Sequence, residues 1–385
     1  MTGSSQPVVP LLEFCEQHQD EMLAVLKRSV ELESPSDNKS GVDRLGAYLG
    51  SEFERLGGKV NFYPQQEYGD HLKAEFPGRA GAKPILLLGH FDTVWPLGTL
   101  AGMPFRAEGG RVFGPGVLDM KAGIVMMMFA LRALQSTGSG DHRPVIVLLD
   151  TDEEVGSVTG RPIVEATAKE CEAVLVLEPA QGAQGCLKTS RKGVGDFTIH
   201  VRGRAAHAGV DFQKGHSAIV ELARQVLEVA KFTDLDRGIT VNPGVIRGGT
   251  RTNVVAAEAW ADVDVRIARA ADAQALEQKF TALRRFDPDC SMEVSGGINR
   301  PPMERTAGTA RLFTLARDEA AKLGMTLEES ATGGGSDGNF TSALGVPTLD
   351  GLGGVGEGAH ADHESIVLAE LARRTALLAR LIETI

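Results

Sequence analysis

Cysteine is scarce in this sequence and never clustered. Four occur among 385 residues, at Cys15, Cys171, Cys186 and Cys290, with no CxxC pair among them. Neither a disulfide framework nor a thiolate zinc site is indicated, and reduced structural thiols are expected. Long apolar runs are missing too. None approaches the roughly 20 residues a membrane helix needs, and the opening MTGSSQPVVPLLEF has no basic start followed by an apolar stretch and a cleavage site. A cytoplasmic protein is expected. Basic charge is in deficit: the net charge of −11 argues against nucleic acid and anionic membrane as partners, because both call for a basic surface. The deficit is uneven, since the segment from Lys192 to Arg300 is near balance and almost all the negative excess lies outside it. The GxSxG pattern occurs once, at Gly334 to Gly338, inside a glycine-rich loop and not directly after one of the apolar strand runs, so a nucleophile elbow and with it a metal-independent serine hydrolase are not indicated. Internal repeats and low-complexity tracts are absent.

What remains is the composition of a folded soluble protein, 42% hydrophobic and 24% charged, long enough for two cores. An N-terminal helix is expected over about Leu11 to Glu33. Short continuous apolar runs at Pro84 to Gly89, Val145 to Leu149 and Ala173 to Leu177 read as strands covered on both faces. A helical pattern at Gly123 to Gln135 makes the connection an α/β crossover. After Lys192 the character changes. Gly195 to Arg202 alternates as a strand, Gly215 to Lys231 reads as an amphipathic helix, and strands follow at Gly238 to Arg247 and Asn253 to Ile267. A helix at Asp272 to Arg285 and a strand at Ser291 to Ser295 complete a βαββαβ order, that of a ferredoxin-like unit. Helical patterns resume at Thr309 to Leu323 and Val367 to Ile385. The expected architecture is therefore α/β: a catalytic domain with a central, mostly parallel sheet over 1–191 and 302–385, and an inserted ferredoxin-like α+β domain over 192–301. Ala331 to Gly338 (ATGGGSDG) reads as a loop of close backbone approach.

In open α/β sheets ligands collect beyond the carboxyl ends of the strands, and polar residues follow each apolar run here. In GHFDTV, His90 ends the first run and Asp92 stands where it can hold the other ring nitrogen of a metal-ligating imidazole; the alternative is a satisfied core histidine. GPGVLDMKAG sets Asp119 in a glycine-flanked turn opening a helix, where it can bridge two cations or merely cap the helix. DTDEEVGS places Glu153 and Glu154 side by side past a buried strand, a costly arrangement unless a cation or proton separates their charges; an exposed acidic turn is the bland reading. Glu178 follows VLVL, and His360 in GAHADHES is the second imidazole. Two histidines, three carboxylates and a spare glutamate suit a pair of zinc ions.

Taken in order, these motifs resemble the family of dinuclear zinc hydrolases that includes glutamate carboxypeptidase, acetylornithine deacetylase and succinyl-diaminopimelate desuccinylase. The likeness spans nearly the whole chain and includes the inserted domain. It implies His90 and Glu178 on one zinc, Glu154 and His360 on the other, Asp119 bridging, Glu153 as general base and Asp92 orienting His90. GPGVLDMKAG, TGGGSDG and AAHAG place the chain nearest the glutamate carboxypeptidase branch, although Ala122 stands where that family usually has glycine. His207 resembles a lid histidine that reaches a neighbouring subunit's active site to stabilise the oxyanion. Asn253, Arg266 and Arg300 resemble lid residues that bind the substrate carboxylate; for each arginine a salt bridge is the alternative. The resemblance implies a carboxypeptidase releasing a C-terminal amino acid, or alternatively an N-acyl-amino-acid deacylase. Its partners would be a small N-acyl or peptidyl amino acid and a second copy of the chain docked through the lid. Two Zn2+ per subunit are implied, with Co2+ or Mn2+ as substitutes. A catalytically silent relative would have lost the base or a ligand, and neither is missing. His18, His71, His142, His200, His216 and His363 lack a ligand context, although His363 stands near enough to His360 in sequence to support it. Met126 to Met128 read as helix core.

Overall fold

The computed structural model describes residues 9–138 and 141–385. Two compact units emerge. The first runs to Ser190 and resumes over Arg305–Thr332 and Ser336–Ile385, and the second is Arg191–Glu304 with Gly333–Gly335. The three glycines group with the second unit because the Arg191 guanidinium donates to the carbonyls of Gly334 (3.2 Å) and Gly335 (2.9 Å).

In the first unit a six-stranded sheet has the order Lys59–Tyr63, His71–Phe76, Val145–Asp150, Ile85–His90, Ala173–Val176, Thr348–Leu349. The last four strands pair in parallel, and the first two add an antiparallel hairpin at one edge. Continuous apolarity in the central strands has a direct cause. Leu86, Leu88, Ile146, Leu148, Val174 and Val176 pack with Val164 and Ala168 of the helix Arg161–Lys169. Their neighbours Ile85, Leu87, Val147 and Leu175 belong to a larger core with the helices Ala122–Ser136 and Leu368–Thr384. Because side chains alternate across a strand, the two sets occupy opposite faces, so both faces must be apolar. Met126, Met127 and Met128 are buried in the larger core.

The N-terminal helical pattern is interrupted, giving Val9–Gln17 and Gln19–Glu31. At His18, where φ is −104° and ψ 15°, the imidazole stacks on the Phe14 ring and shares the Phe14 carbonyl (2.7 Å) with the His18 backbone N–H (3.1 Å).

The second unit is an antiparallel sheet ordered Thr240–Gly248, Glu258–Ile267, Gly193–Arg202, Ser291–Arg300. Helices Ala218–Ala230 and Ala273–Thr281 complete the βαββαβ order of a ferredoxin-like fold. Ala259, Ala261, Val263, Val265 and Ile267 bury one strand face with Leu222, Val229, Leu276 and Phe280, and Phe280 stacks on Phe197 at 3.9 Å. The strand expected from Asn253 starts only at Glu258. Before it, Val255 N–H donates to Ala206 and Ala256 accepts from Ala218, so that stretch pairs with the 206–218 segment instead. The last strand runs five residues beyond the expected Ser295. Gly296, at φ +100°, lets it continue: a side chain there would collide with the Asp196 carbonyl.

Candidate metal centre

Three parallel strands deliver the site's first residues at their carboxyl ends. His90 ends Ile85–His90, Glu154 lies four residues past Asp150, and Glu178 lies two past Val176. Backbone fit fixes Glu178 closely, because a Cβ on either Gly123 or Gly353 would strike the Leu177 carbonyl, and Gly353 N–H donates to the Glu178 carbonyl at 2.9 Å. Asp92 is fully buried; its Oδ2 accepts from Ser36 Oγ (2.6 Å) and from Glu154 N–H (3.3 Å), tying two strand-end loops together. His90 Nδ1 faces the Asp92 backbone carbonyl at 3.1 Å and Asp92 Oδ1 at 3.3 Å, which leaves Nε2 for the site.

That Nε2 lies 3.2 Å from Asp119 Oδ1 and 3.4 Å from Glu178 Oε1. His360 Nε2 lies 3.2 Å from Glu154 Oε2 and 3.5 Å from Asp119 Oδ2. Asp119 thus turns one oxygen to each imidazole. It does so from a non-helical conformation (φ −112°, ψ 94°) inside the turn Val117–Lys121, which precedes the helix Ala122–Ser136. Two triads result, His90–Asp119–Glu178 and Asp119–Glu154–His360, each with donor atoms within 4.8 Å of one another. Glu153 opens the short turn Glu153–Val155 beside Glu154 and belongs to neither triad.

The donor chemistry fits a pair of cations. Three carboxylates so close together, partly withdrawn from water, need compensating positive charge, and two imidazole nitrogens with carboxylate oxygens form a set suited to divalent metals. In the metal-free chain the imidazoles supply that charge themselves. Hydrogen bonds to Asp119 and Glu154 push His360 up to about 10. Burial opposes charge on His90, but Asp119, Asp92 and Glu178 hold it well above the usual histidine value. Burial would likewise raise Asp119, yet His360 and His90 hold it below the carboxylate range. Burial raises Glu154.

An imidazole must be neutral to ligate. Binding of divalent cations at the two triads near pH 7.5 is therefore expected to release protons. Since both folded-state values are raised, apparent affinity should climb with pH from 6 towards 10. Titration calorimetry in buffers of different ionisation enthalpy reads the release directly, and a binding heat independent of buffer would contradict it.

The expected substrate residues lie in the second unit. His207 is exposed, and Gly209 N–H donates to its Nδ1 at 3.1 Å, which leaves Nε2 as the ring's donor. Asn253 is its neighbour, joined by the Ala208 N–H to Asn253 carbonyl bond at 3.0 Å. Arg266 and Arg300 are both registered opposite Val194 from flanking strands, so they share a face about 10 Å apart. Arg266 is gripped by Asp264, with Nε to Oδ1 at 3.0 Å and Nη2 to Oδ2 at 2.7 Å. An incoming carboxylate would compete with that pair. Arg300 is only 5% exposed, and its stem packs under Gly335.

Several residues were not anticipated from sequence. Glu364 is fully buried and accepts four N–H groups around the Asp119 turn; the only hint was an acid four residues after His360. His363, which has no ligand context in the sequence, is exposed and faces Asp362. His216, Asp287 and Asp289 also cluster, but the two nitrogens of His216 face different carboxylates, as in an ordinary surface hydrogen-bonded group. All four cysteines are free, and among the described residues no helix is long and apolar enough to cross a membrane.

The sequence pattern of peptidase family M20/M25/M40 matches residues 86–384. Carboxypeptidase G2 of Pseudomonas sp. (strain RS-16) is 31% identical over 380 residues, 97% of this chain and 91% of that protein. Succinyl-diaminopimelate desuccinylase of Acidovorax ebreus is 27% identical over 84% of this chain and 87% of its own. The fold matches the crystal structure of aminopeptidase PepT from Bacillus cereus with a TM-score of 0.76 at 24% identity, covering 95% of this chain and 98% of that one. With a match over most of its length and that identity to a curated relative, this chain belongs to peptidase family M20/M25/M40 and is a metallo-amidohydrolase.

Proposed function

We propose that the chain is a dinuclear-zinc carboxypeptidase, similar to glutamate carboxypeptidase, which hydrolyses the amide bond to a C-terminal amino acid. The observation that carries this reading is the bridging posture of Asp119, with one oxygen 3.2 Å from His90 and the other 3.5 Å from His360. His90 and Glu178 would hold one zinc, Glu154 and His360 the other, and Asp119 both; Co2+ or Mn2+ would substitute. Zinc bound there supplies Lewis acidity that polarises a scissile carbonyl and makes water more acidic. Glu153 accepts a proton from the attacking water on its carboxylate and passes it to the leaving nitrogen. Asp92 keeps His90 oriented. His207 offers its Nε2–H to the developing oxyanion.

Asn253, Arg266 and Arg300 read the free α-carboxylate, a task for which a guanidinium's paired donors suit better than an ammonium. Hydrogen bonds to charged groups are worth about 1.5–3 kcal/mol. Arg300→Ala should then lower kcat/KM by roughly 10- to 150-fold on substrates ending in a free carboxylate. Substrates with an amidated terminus should be poor from the start and lose little more. Equal losses on acid and amide would assign Arg300 to holding its strand end.

A second reading, N-acyl-amino-acid deacylase, is favoured by the desuccinylase relative. Comparing peptidyl-glutamate with N-acetyl and N-succinyl amino acids by release of free amine separates the two. We further assign the second unit, Arg191–Glu304 with its glycine loop, to lid and dimer contact. Its edge strand Thr240–Gly248 exposes Val245 and Ile246, and the helix Ala218–Ala230 exposes Ile219, Val220 and Leu227, a combination that invites a partner. Light scattering on the purified chain tests this, with a monomer at micromolar concentration as the contrary result. Four free thiols suit the reducing cytoplasm.

A further inference from the structure

Glu364 touches neither imidazole nor any carboxylate of the two triads in the contacts above, yet it is fully buried. Its Oε1 accepts from the backbone N–H of Leu118 (2.8 Å) and of Asp119 itself (3.0 Å). Its Oε2 accepts from Gly116 N–H (2.9 Å) and from the Trp95 indole Nε1–H (2.8 Å). One carboxylate therefore gathers the loop after the first metal-bearing strand, the Asp119 turn and the loop carrying His360, four residues upstream. Glu364 is anchored in turn: Ser365 and Ile366 pair with Phe113 and Val112, and Gly114 N–H donates to the Glu364 carbonyl. The turn's own backbone bonds flank Asp119, with Val117 N–H donating to Gly114 (3.2 Å) and Lys121 N–H to Gly116 (3.0 Å), whereas the Asp119 N–H donates to Glu364.

We propose that Glu364 is a positioning residue for the metal centre, setting the Asp119 carboxylate so that one oxygen serves each site. This rests on the reading of Asp119 as the shared ligand. Only an ionised carboxylate offers acceptors alone at both ends. An amide in its place would aim an NH2 at two N–H groups, losing two of the four bonds and opposing donor to donor. The consequence specific to positioning is that both metal affinities fall together, although Glu364 ligates neither metal.

The test measures the two zinc dissociation constants of the full-length metal-free chain by chelator competition, with thermal unfolding of the same metal-free samples in parallel. Glu364→Gln is expected to weaken both sites by about 10- to 100-fold, the usual effect of losing a partner behind the ligands. Trp95→Phe removes one donor, keeps an apolar ring, and is expected to weaken both by about two- to tenfold. If Glu364→Gln does not fold, Trp95→Phe decides alone. Variants that melt lower but bind two zincs with unchanged constants would overturn the proposal, because that is what a purely structural residue does. Asp119→Ala separates the two possible failures. If it too leaves both constants intact, the shared-ligand reading is what fails; if it abolishes both while the Glu364 and Trp95 variants bind normally, only the present inference fails.

Discussion

Replacing Glu153 by glutamine is expected to lower turnover at least about 100-fold, and up to about 10,000-fold, the range associated with losing a general base, while metal content stays at two ions per chain. The substitution keeps shape and volume and removes only the capacity to take a proton. Its effect should therefore fall on kcat with KM little changed. The motive is positional. Glu153 and Glu154 are consecutive in one short turn, yet only Glu154 joins a triad, within 3.2 Å of His360. Elemental analysis alongside kinetics makes the result unambiguous. Full activity would remove Glu153 from the mechanism, and loss of metal would mean that the two glutamates have exchanged roles.

Asp119→Ala carries the second large expectation. A ligand confined to one ion would, when lost, leave the other site filled. A carboxylate with one oxygen towards each imidazole should instead take both sites with it, so metal content should fall below about one ion per chain, and activity by more than the roughly 10- to 100-fold that an outer partner costs. One site intact with hydrolysis largely retained would refute the bridging role.

Much of this arrangement is legible in the chain because it follows from strand burial. PILLLG, VIVLL and AVLVL are apolar at every position since both sheet faces are covered, and a polar residue directly after such a run can only stand at the sheet's carboxyl edge. His90 and Glu178 are placed by that logic alone, whereas Glu154 lies four residues past the end of its strand, in the loop that follows. Glu364 escapes it, since its partners are backbone N–H groups nearly 250 positions away and carry no side-chain signature. The Arg266–Asp264 pair was open to the same period-two reasoning that identified the strand, because residues two apart share a face. The Gly333–Gly335 loop groups with the inserted unit through Arg191, a side chain that no motif marked. The break at His18 is one of backbone conformation, φ −104° and ψ 15° at a single residue, which the apolar pattern does not mark.

In the proposed function this chain cleaves an amide to an amino acid bearing a free carboxylate by means of two metal ions that His90, Asp119, Glu154, Glu178 and His360 would hold. The most direct measurement strips the protein with chelator and titrates Zn2+ back while following free amine released from a peptidyl- or N-acyl-glutamate. No release is expected without metal, recovery should reach a plateau at about two equivalents, and Asp119→Ala should not recover. Undiminished release from the stripped chain, or full recovery in that variant, would contradict it.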